Sequence, residues 1–271
     1  MTKLRKLRQG GFLYLTLDDA PTRNALSPEM VDELRAAFEA AAADAGVRAV
    51  VLRGANGTFC AGGSIGNFHQ SQQTAAAAGE PDPIAANNRR FGEFMTALQF
   101  FPKVVVVAVE GAAMGGGFGL ACIADILLAR KDAKFALSET TLGLVPAQIA
   151  PFVVARIGQA RTRRLALSGE RIDGVEAARI GLADAVCEDA TGLESALVAV
   201  LRGIGRCAPG ANAATKSLIA QCGALPLAQV LDNASQMFAR QMRGEAAEGV
   251  AAFRDKRDAA WVEKLDQLPK P

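Results

Sequence analysis

Histidine is nearly absent from this chain, and the scarcity removes a class of chemistry. With His69 as the single imidazole, a Ser-His-Asp or Cys-His enzyme would have to work through it. Neither a G-x-S-x-G elbow nor a cysteine in a recognisable nucleophile context accompanies it. Its neighbours Asn67, Phe68, Gln70 and Ser71 mark it as a loop residue. The five cysteines, Cys60, Cys122, Cys187, Cys207 and Cys222, are odd in number and lack any C-x-x-C spacing. That argues against both a disulfide framework and a zinc site, so they read as reduced packing residues and no metal is expected. An excess of one charge is missing too: 30 basic residues stand against 28 acidic ones. Such a balance gives no footprint for nucleic acid or a membrane surface, and the short basic start Lys3, Arg5, Lys6, Arg8 reads as solvated. No apolar run reaches membrane-spanning length, and the apolar pattern begins at Phe12, too early for a cleaved signal or transit peptide. A cytoplasmic protein is the expectation.

What the chain does have is apolar content. At 271 residues and 50% hydrophobic, it can bury a large core as one domain, or as one domain with an appendage. The organising stretch runs from Val104 to Ala121. Its valine run has the length and β-branching of a strand covered on both faces, and a helix to about Ala124 follows the turn Gly115-Gly116-Gly117. Without Cβ atoms, the backbone there can approach a bound group closely, and the first helical N–H groups point at it with the positive end of the helix dipole. One reading is a site for an oxyanion or phosphate; the other is that the glycines only permit close helix-to-strand packing. No G-x-G-x-x-G or G-x-x-x-x-G-K-[ST] pattern is present, so nucleotide phosphate is the weaker choice.

The remaining pattern is α/β. Phe12–Leu17 reads as a first strand. A helix then starts at Ser27, a capping residue, with Pro28 at N1, Glu29 in the first turn and an apolar stripe Met30, Leu34, Phe38, Ala41 that Gly46 ends. Ala49–Leu52 predicts a second buried strand, followed by the small-residue segment Phe59–Ile65. Residues 70–88 lack an apolar period and read as a loop or marginal helix beside the site, before Phe91, Phe94, Met95, Leu98 and Phe101 resume a helical stripe. Ile126–Ala129 and Lys134–Leu137 predict a pair of short strands joined by charged turn residues. Strands stop at about residue 191. The expected division is a core over 1–195 and a helical region over 196–271.

These segments carry a resemblance. Phe59-Cys60-Ala61-Gly62-Gly63-Ser64-Ile65, Glu110–Gly117, Ala124-Asp125 and Phe135-Ala136-Leu137-Ser138-Glu139, in that order, resemble the crotonase family, and the likeness runs from Pro21–Leu26 through Leu167–Ile172 to Phe253–Arg257. It implies a crotonase-type spiral of ββα turns, a C-terminal helical trimerisation region, a homotrimer or dimer of trimers, and acyl-CoA thioesters as substrates, with coenzyme A part of the substrate and no separate cofactor. By position it assigns the N–H groups of Gly63 and Gly116 as oxyanion donors and Glu139 as acid or base. Arg23, Ala25, Ala61, Ser64 and Ile65 fall on its substrate-binding segments. Phe253 and Lys256 match the late motif that reaches the nucleotide end, often of a neighbouring subunit; the other reading of Lys256 is a solvated helix charge.

The departures decide which reaction the resemblance implies. Short-chain hydratases of the family carry a second glutamate where this chain has Gly119, and an acidic residue where it has Ser64. Moving a double bond needs only one base, so acid counting points to a Δ3,Δ2-enoyl-CoA isomerase. The run Ser138–Phe152 and Gly116–Leu120 instead resemble the isohexenylglutaconyl-CoA hydratase branch, whose branched, carboxylate-bearing substrates supply polarity of their own. On that reading the chain is an enoyl-CoA hydratase, Ala147 and Gln148 are substrate-binding residues, and Gly119 leaves open space for water or part of a branched acyl group. The Gln148 amide either orients water or the substrate carboxylate or is a capping or surface Gln. A catalytically silent CoA-thioester-binding homologue is the alternative of another class.

Overall fold

Strands β1 (Leu4–Gln9), β2 (Phe12–Leu17), β3 (Ala49–Gly54), β4 (Val104–Val109), β6 (Ile126–Arg130) and β9 (Ala185–Cys187) form a six-stranded sheet in the order β1-β2-β3-β4-β6-β9. The computed structural model describes residues 2–64, 79 and 82–269. β1 and β2 pair antiparallel, and every later pairing in this sheet is parallel. Alternation sends Val105, Val107 and Val109 to one apolar layer and Val106 and Ala108 to the other. The first layer is closed by helices α1 (Pro28–Ala43), α2 (Pro83–Gln99) and α3 (Gly116–Cys122). The second is closed by α7 (Ala190–Arg206), whose Leu193, Leu197, Leu201 and Ile204 meet Phe12, Tyr14, Val51 and Leu128. A strand with two covered faces has no polar alternation, which is why the valine run reads as it does.

From β4 onward the chain alternates between this sheet and a smaller sheet of β5 (Ala112–Met114), β7 (Lys134–Ala136) and β8 (Arg171–Asp173). Cys60, bridging to Ala113, extends the small sheet from the turn after β3. β6 and β7, expected as a pair, therefore belong to different sheets, β6 pairing with β4 and β9 and β7 with β5 and β8. The basic start is not merely solvated. It forms edge strand β1, where Arg5 pairs with Asp18 at 2.9 Å and Arg8 with Asp44, a charged edge of the kind that resists further strand addition. Residues 83–88, expected as loop or marginal helix, are the start of α2, capped by Asp82 through the N–H of Ile84 at 2.8 Å. Residues 70–78, 80 and 81 of that expected loop, and His69, lie outside the described residues.

Helix α1 starts as its sequence requires, Ser27 Oγ accepting from Met30 N at 3.3 Å. α4 (Ala150–Ile157), α5 (Gln159–Ser168) and α6 (Gly174–Arg179) connect the small sheet to β9. α7 runs across position 195 and belongs with the sheet it covers. Helices α8 (Pro209–Gln221), α9 (Leu227–Arg243) and α10 (Glu245–Arg254) follow, and they keep much apolar surface exposed: Leu227, Leu231, Phe238 and Met242 on α9, Val250 and Phe253 on α10. No described helix is long and apolar enough to cross a membrane.

Candidate active site

The site begins where the two small-residue segments meet backbone to backbone. Cys60 N donates to Ala112 O at 2.8 Å and Met114 N to Cys60 O at 3.0 Å, so the chain after β3 is laced to β5. Gly117 sits against Cys60, where a Cβ would come within 2.8 Å of the Cys60 carbonyl oxygen. The packing reading of the glycines thus holds at Gly117. Cys60 itself is fully buried and its thiol is pushed up to about 12 by burial, which keeps it protonated and inert.

The neighbouring glycine, Gly116, is the first residue of α3, and its N–H has no partner within the helix. A Cβ there would stand 3.9 Å from Gly63 N, with Leu26 Cδ1 at 3.0 Å and the Phe91 ring edge at 3.7 Å. Among the described residues neither amide donates a backbone hydrogen bond. Two backbone amides that donate no backbone hydrogen bond among the described residues therefore lie close together, beside Leu26 and Phe91. In the sequence Leu26 ends the motif Pro21–Leu26 and Phe91 opens a helical stripe, and neither position marks a wall of the site.

Glu139 opens a 3-10 turn directly after β7. Its carboxylate lies over Gly115, where a Cβ would be 2.8 Å from Oε1; Gly115 also holds φ 47°, and both demands fit glycine alone. Oε2 is buried with no hydrogen-bond partner among the described residues. Burial raises the carboxyl above its ordinary value of 4.5, opposed only by a hydrogen bond from its own backbone. A carboxylate with a raised pKa and a free oxygen, one residue from an unpaired helical N–H, can exchange a proton while the donors hold negative charge.

Arg23, Ala25 and Ala61 come together through the backbone: Ala61 N donates to Arg23 O at 3.0 Å and Leu26 N to Gly62 O at 2.8 Å. The organiser is Asn24, within the motif Pro21–Leu26. It is 1% exposed, holds φ 61°, and donates to Ala55 O at 3.1 Å and Thr58 O at 2.7 Å, while its Oδ1 accepts from Asp19 N at 2.8 Å. Asn is the residue that tolerates this left-handed backbone while bonding locally, and that preference was the available signal. Ser64 is half-buried just past Gly63, and Ile65 lies outside the described residues. Phe253 is 87% exposed at the end of α10, and Lys256 follows in a left-handed turn at φ 54°. Among the described residues the Lys256 side chain makes no hydrogen bond or ion pair.

One expectation, the space at Gly119, needs correction. Gly119 does not open space: it is buried, and a Cβ there would meet Ile149 Cβ at 2.8 Å, collide with Ile149 Cγ2, and touch Met95 Cε at 3.5 Å. Exchanging an interior Gly for Ala gains up to about 1 kcal/mol of helix propensity, but overpacking a filled core costs about 1–3 kcal/mol, so packing decides at this position. Gln148 Nε2 donates to Asn88 Oδ1 at 2.9 Å and its Oε1 lies against Gly92, tying the loop to α2. The Ala147 N–H is engaged as well, donating to Val145 O at 2.8 Å. Among the described residues no group of His, Cys, Asp and Glu could hold a metal ion.

Comparison with known proteins bears on this geometry. The family model described as enoyl-CoA hydratase/isomerase matches residues 8–264. The crystal structure of an enoyl-CoA hydratase/isomerase from Marinobacter aquaeolei superposes with a TM-score of 0.93 at 45% identity, over 96% of this chain and 99% of that one. Pseudomonas aeruginosa AtuE gives 0.91 at 45% identity, over 96% and 100%. The 2,3-dehydroadipyl-CoA hydratase of Escherichia coli is 32% identical across 95% of this chain and 97% of its own length.

Proposed function

Since the chain belongs to the enoyl-CoA hydratase/isomerase family, with the crotonase fold, we propose that it hydrates a branched or carboxylate-bearing 2-enoyl-CoA of the isohexenylglutaconyl type, using Glu139 as its one acid and base. The observation that carries this reading is the Glu139 carboxylate over Gly115, its Oε2 buried, beside the N–H groups of Gly63 and Gly116, which donate no backbone hydrogen bond among the described residues. Glu139 takes a proton from water as the water oxygen bonds to the β-carbon. The double-bond electrons move onto the thioester oxygen, and the two N–H groups hold the resulting enolate. Glu139 then returns the proton to the α-carbon, so one carboxylate serves both halves of the addition. Such preorganised donors act on charge that develops in the transition state. The Escherichia coli relative is named for an enoyl thioester with a second carboxyl group, which supports the carboxylate-bearing class. Arg23, Ala25, Ala61, Ser64 and Ile65 are proposed to hold the coenzyme A portion.

Incubation with 2-enoyl, 3-enoyl and 3-methylglutaconyl thioesters, read by mass spectrometry, tests this. Gain of one water on the 3-methylglutaconyl thioester is the expected result. A 3-enoyl thioester converted at unchanged mass would instead establish the isomerase, the reading that the lone carboxylate and the apolar packing at Gly119 favour. Coenzyme A binding without turnover of any thioester would establish the silent homologue.

The apolar surface left on α9 and α10 supports a homotrimer or dimer of trimers, with Phe253 and Lys256 reaching a neighbouring subunit's nucleotide end. Light scattering of the active protein is expected to give three or six chain masses. A fully active monomer would remove the shared site.

A further inference from the structure

Positions 119 and 149 share one volume, although thirty residues separate them. Gly119 N donates to Gly115 O at 3.0 Å, so Gly119 lies one turn along α3 from the glycine that faces Glu139. It also shares a helix face with Gly116, three residues before it. The place where its side chain would project is filled by Ile149, which is 3% exposed and backed by Met95 at 0%. Ile149 cannot easily swing away. It is β-branched, stiff at χ1, and its backbone carbonyl accepts from Phe152 N and Val153 N at the start of α4. The loop that begins at Glu139 ends at Ile149, pinned at its near end by Leu144 N on Glu139 O at 3.0 Å and at its far end by Gln148 on Asn88. It thus carries the carboxylate at one end and a fixed hydrocarbon at the other, both against α3.

We propose that Ile149 is the specificity-determining residue of the acyl site, a rigid apolar wall that excludes any side chain from position 119 and selects acyl groups whose branch packs against it. The proposal rests on the placement of the acyl group between Glu139 and α3 under the reading above. It does not depend on whether hydration or isomerisation follows.

Two measurements test it. The first is a double-mutant cycle of Gly119→Ala and Ile149→Ala, read as thermal midpoints. Gly119→Ala alone is expected to lower Tm by roughly 2–10 °C, the size of a modest overpacking in a chain of this length. In the Ile149→Ala background the same change is expected to be neutral or to raise Tm, because the methyl enters vacated space and removes a helix-interior glycine. The second is the affinity ratio of 3-methyl-branched over straight-chain saturated acyl-CoA, by calorimetry. Ile149→Ala is expected to reduce the parent's preference for the branched chain by about tenfold, the usual scale for a lost methyl-sized contact.

Equal effects of Gly119→Ala in both backgrounds would show that the two positions do not share a volume. An affinity ratio within twofold of the parent would reduce Ile149 to core packing. Either result overturns the proposal. Saturated thioesters undergo neither hydration nor isomerisation, so an error in the assigned reaction appears in the mass-spectrometric assay and leaves this test intact.

Discussion

Glu139→Gln is expected to lower turnover by about 10²–10⁴-fold, the usual worth of a positioned acid or base, while coenzyme A thioesters bind as before. Gln preserves volume and hydrogen bonding but cannot carry a proton. The parent should show kcat/KM rising with pH through a midpoint above 4.5, because the base works ionised and burial raises its pKa. Stability should move the other way. Between the ordinary carboxylate pKa and the raised one, the folded chain holds a proton that the unfolded chain has lost, so the parent loses stability as pH rises through that window. Glu139→Gln escapes that loss. It should therefore unfold at higher denaturant than the parent at pH 7 and match it below the ordinary carboxylate range. Near-normal turnover would mean that another group carries the proton, and a variant less stable than the parent at pH 7 would mean that burial does not raise the Glu139 carboxyl.

Gly116→Pro should cost about 10²–10³-fold in kcat, the loss typical for one oxyanion donor. The position permits a substitution aimed at the backbone. Gly116 is the first residue of α3, where proline's φ suits a helix start and the missing N–H breaks no intrahelical bond. Gly116→Ala is the control, since it keeps the N–H and adds a methyl 3.0 Å from Leu26 Cδ1 and 3.7 Å from the Phe91 ring. The Ala variant should retain most of its rate, with circular dichroism unchanged in both. A Pro variant as active as the Ala variant would show that the Gly116 N–H does not face the developing charge.

The parts of the fold legible in the sequence were those set by local chemistry. The valine run declared a two-faced strand, Ser27-Pro28 declared a helix start, and the order of small-residue motifs carried the fold family. β1 was hidden because an edge strand can be mostly charged, and its sequence then resembles a solvated terminus. β8 and β9 have three residues each, too few to show a period. At the site, the glycine turn, Glu139 and the loop 23–26 could be found in the chain. The contacts that complete the picture could not, because each joins distant residues: Ile149 against Gly119, Gln148 on Asn88, Asn24 on Ala55 and Thr58. An absent side chain at 119 looks like space in a sequence and is filled by a neighbour in three dimensions, since protein interiors do not leave methyl-sized voids open.

The central claim is that Glu139 delivers water to an enoyl thioester whose oxygen is held by Gly63 and Gly116. Its most direct test is turnover of 3-methylglutaconyl-CoA in heavy-oxygen water, followed by mass spectrometry of the acyl product. The parent should yield a product carrying one heavy oxygen, and Glu139→Gln should yield almost none in the same time. A parent product without the label, or labelling undiminished in Glu139→Gln, would contradict the account.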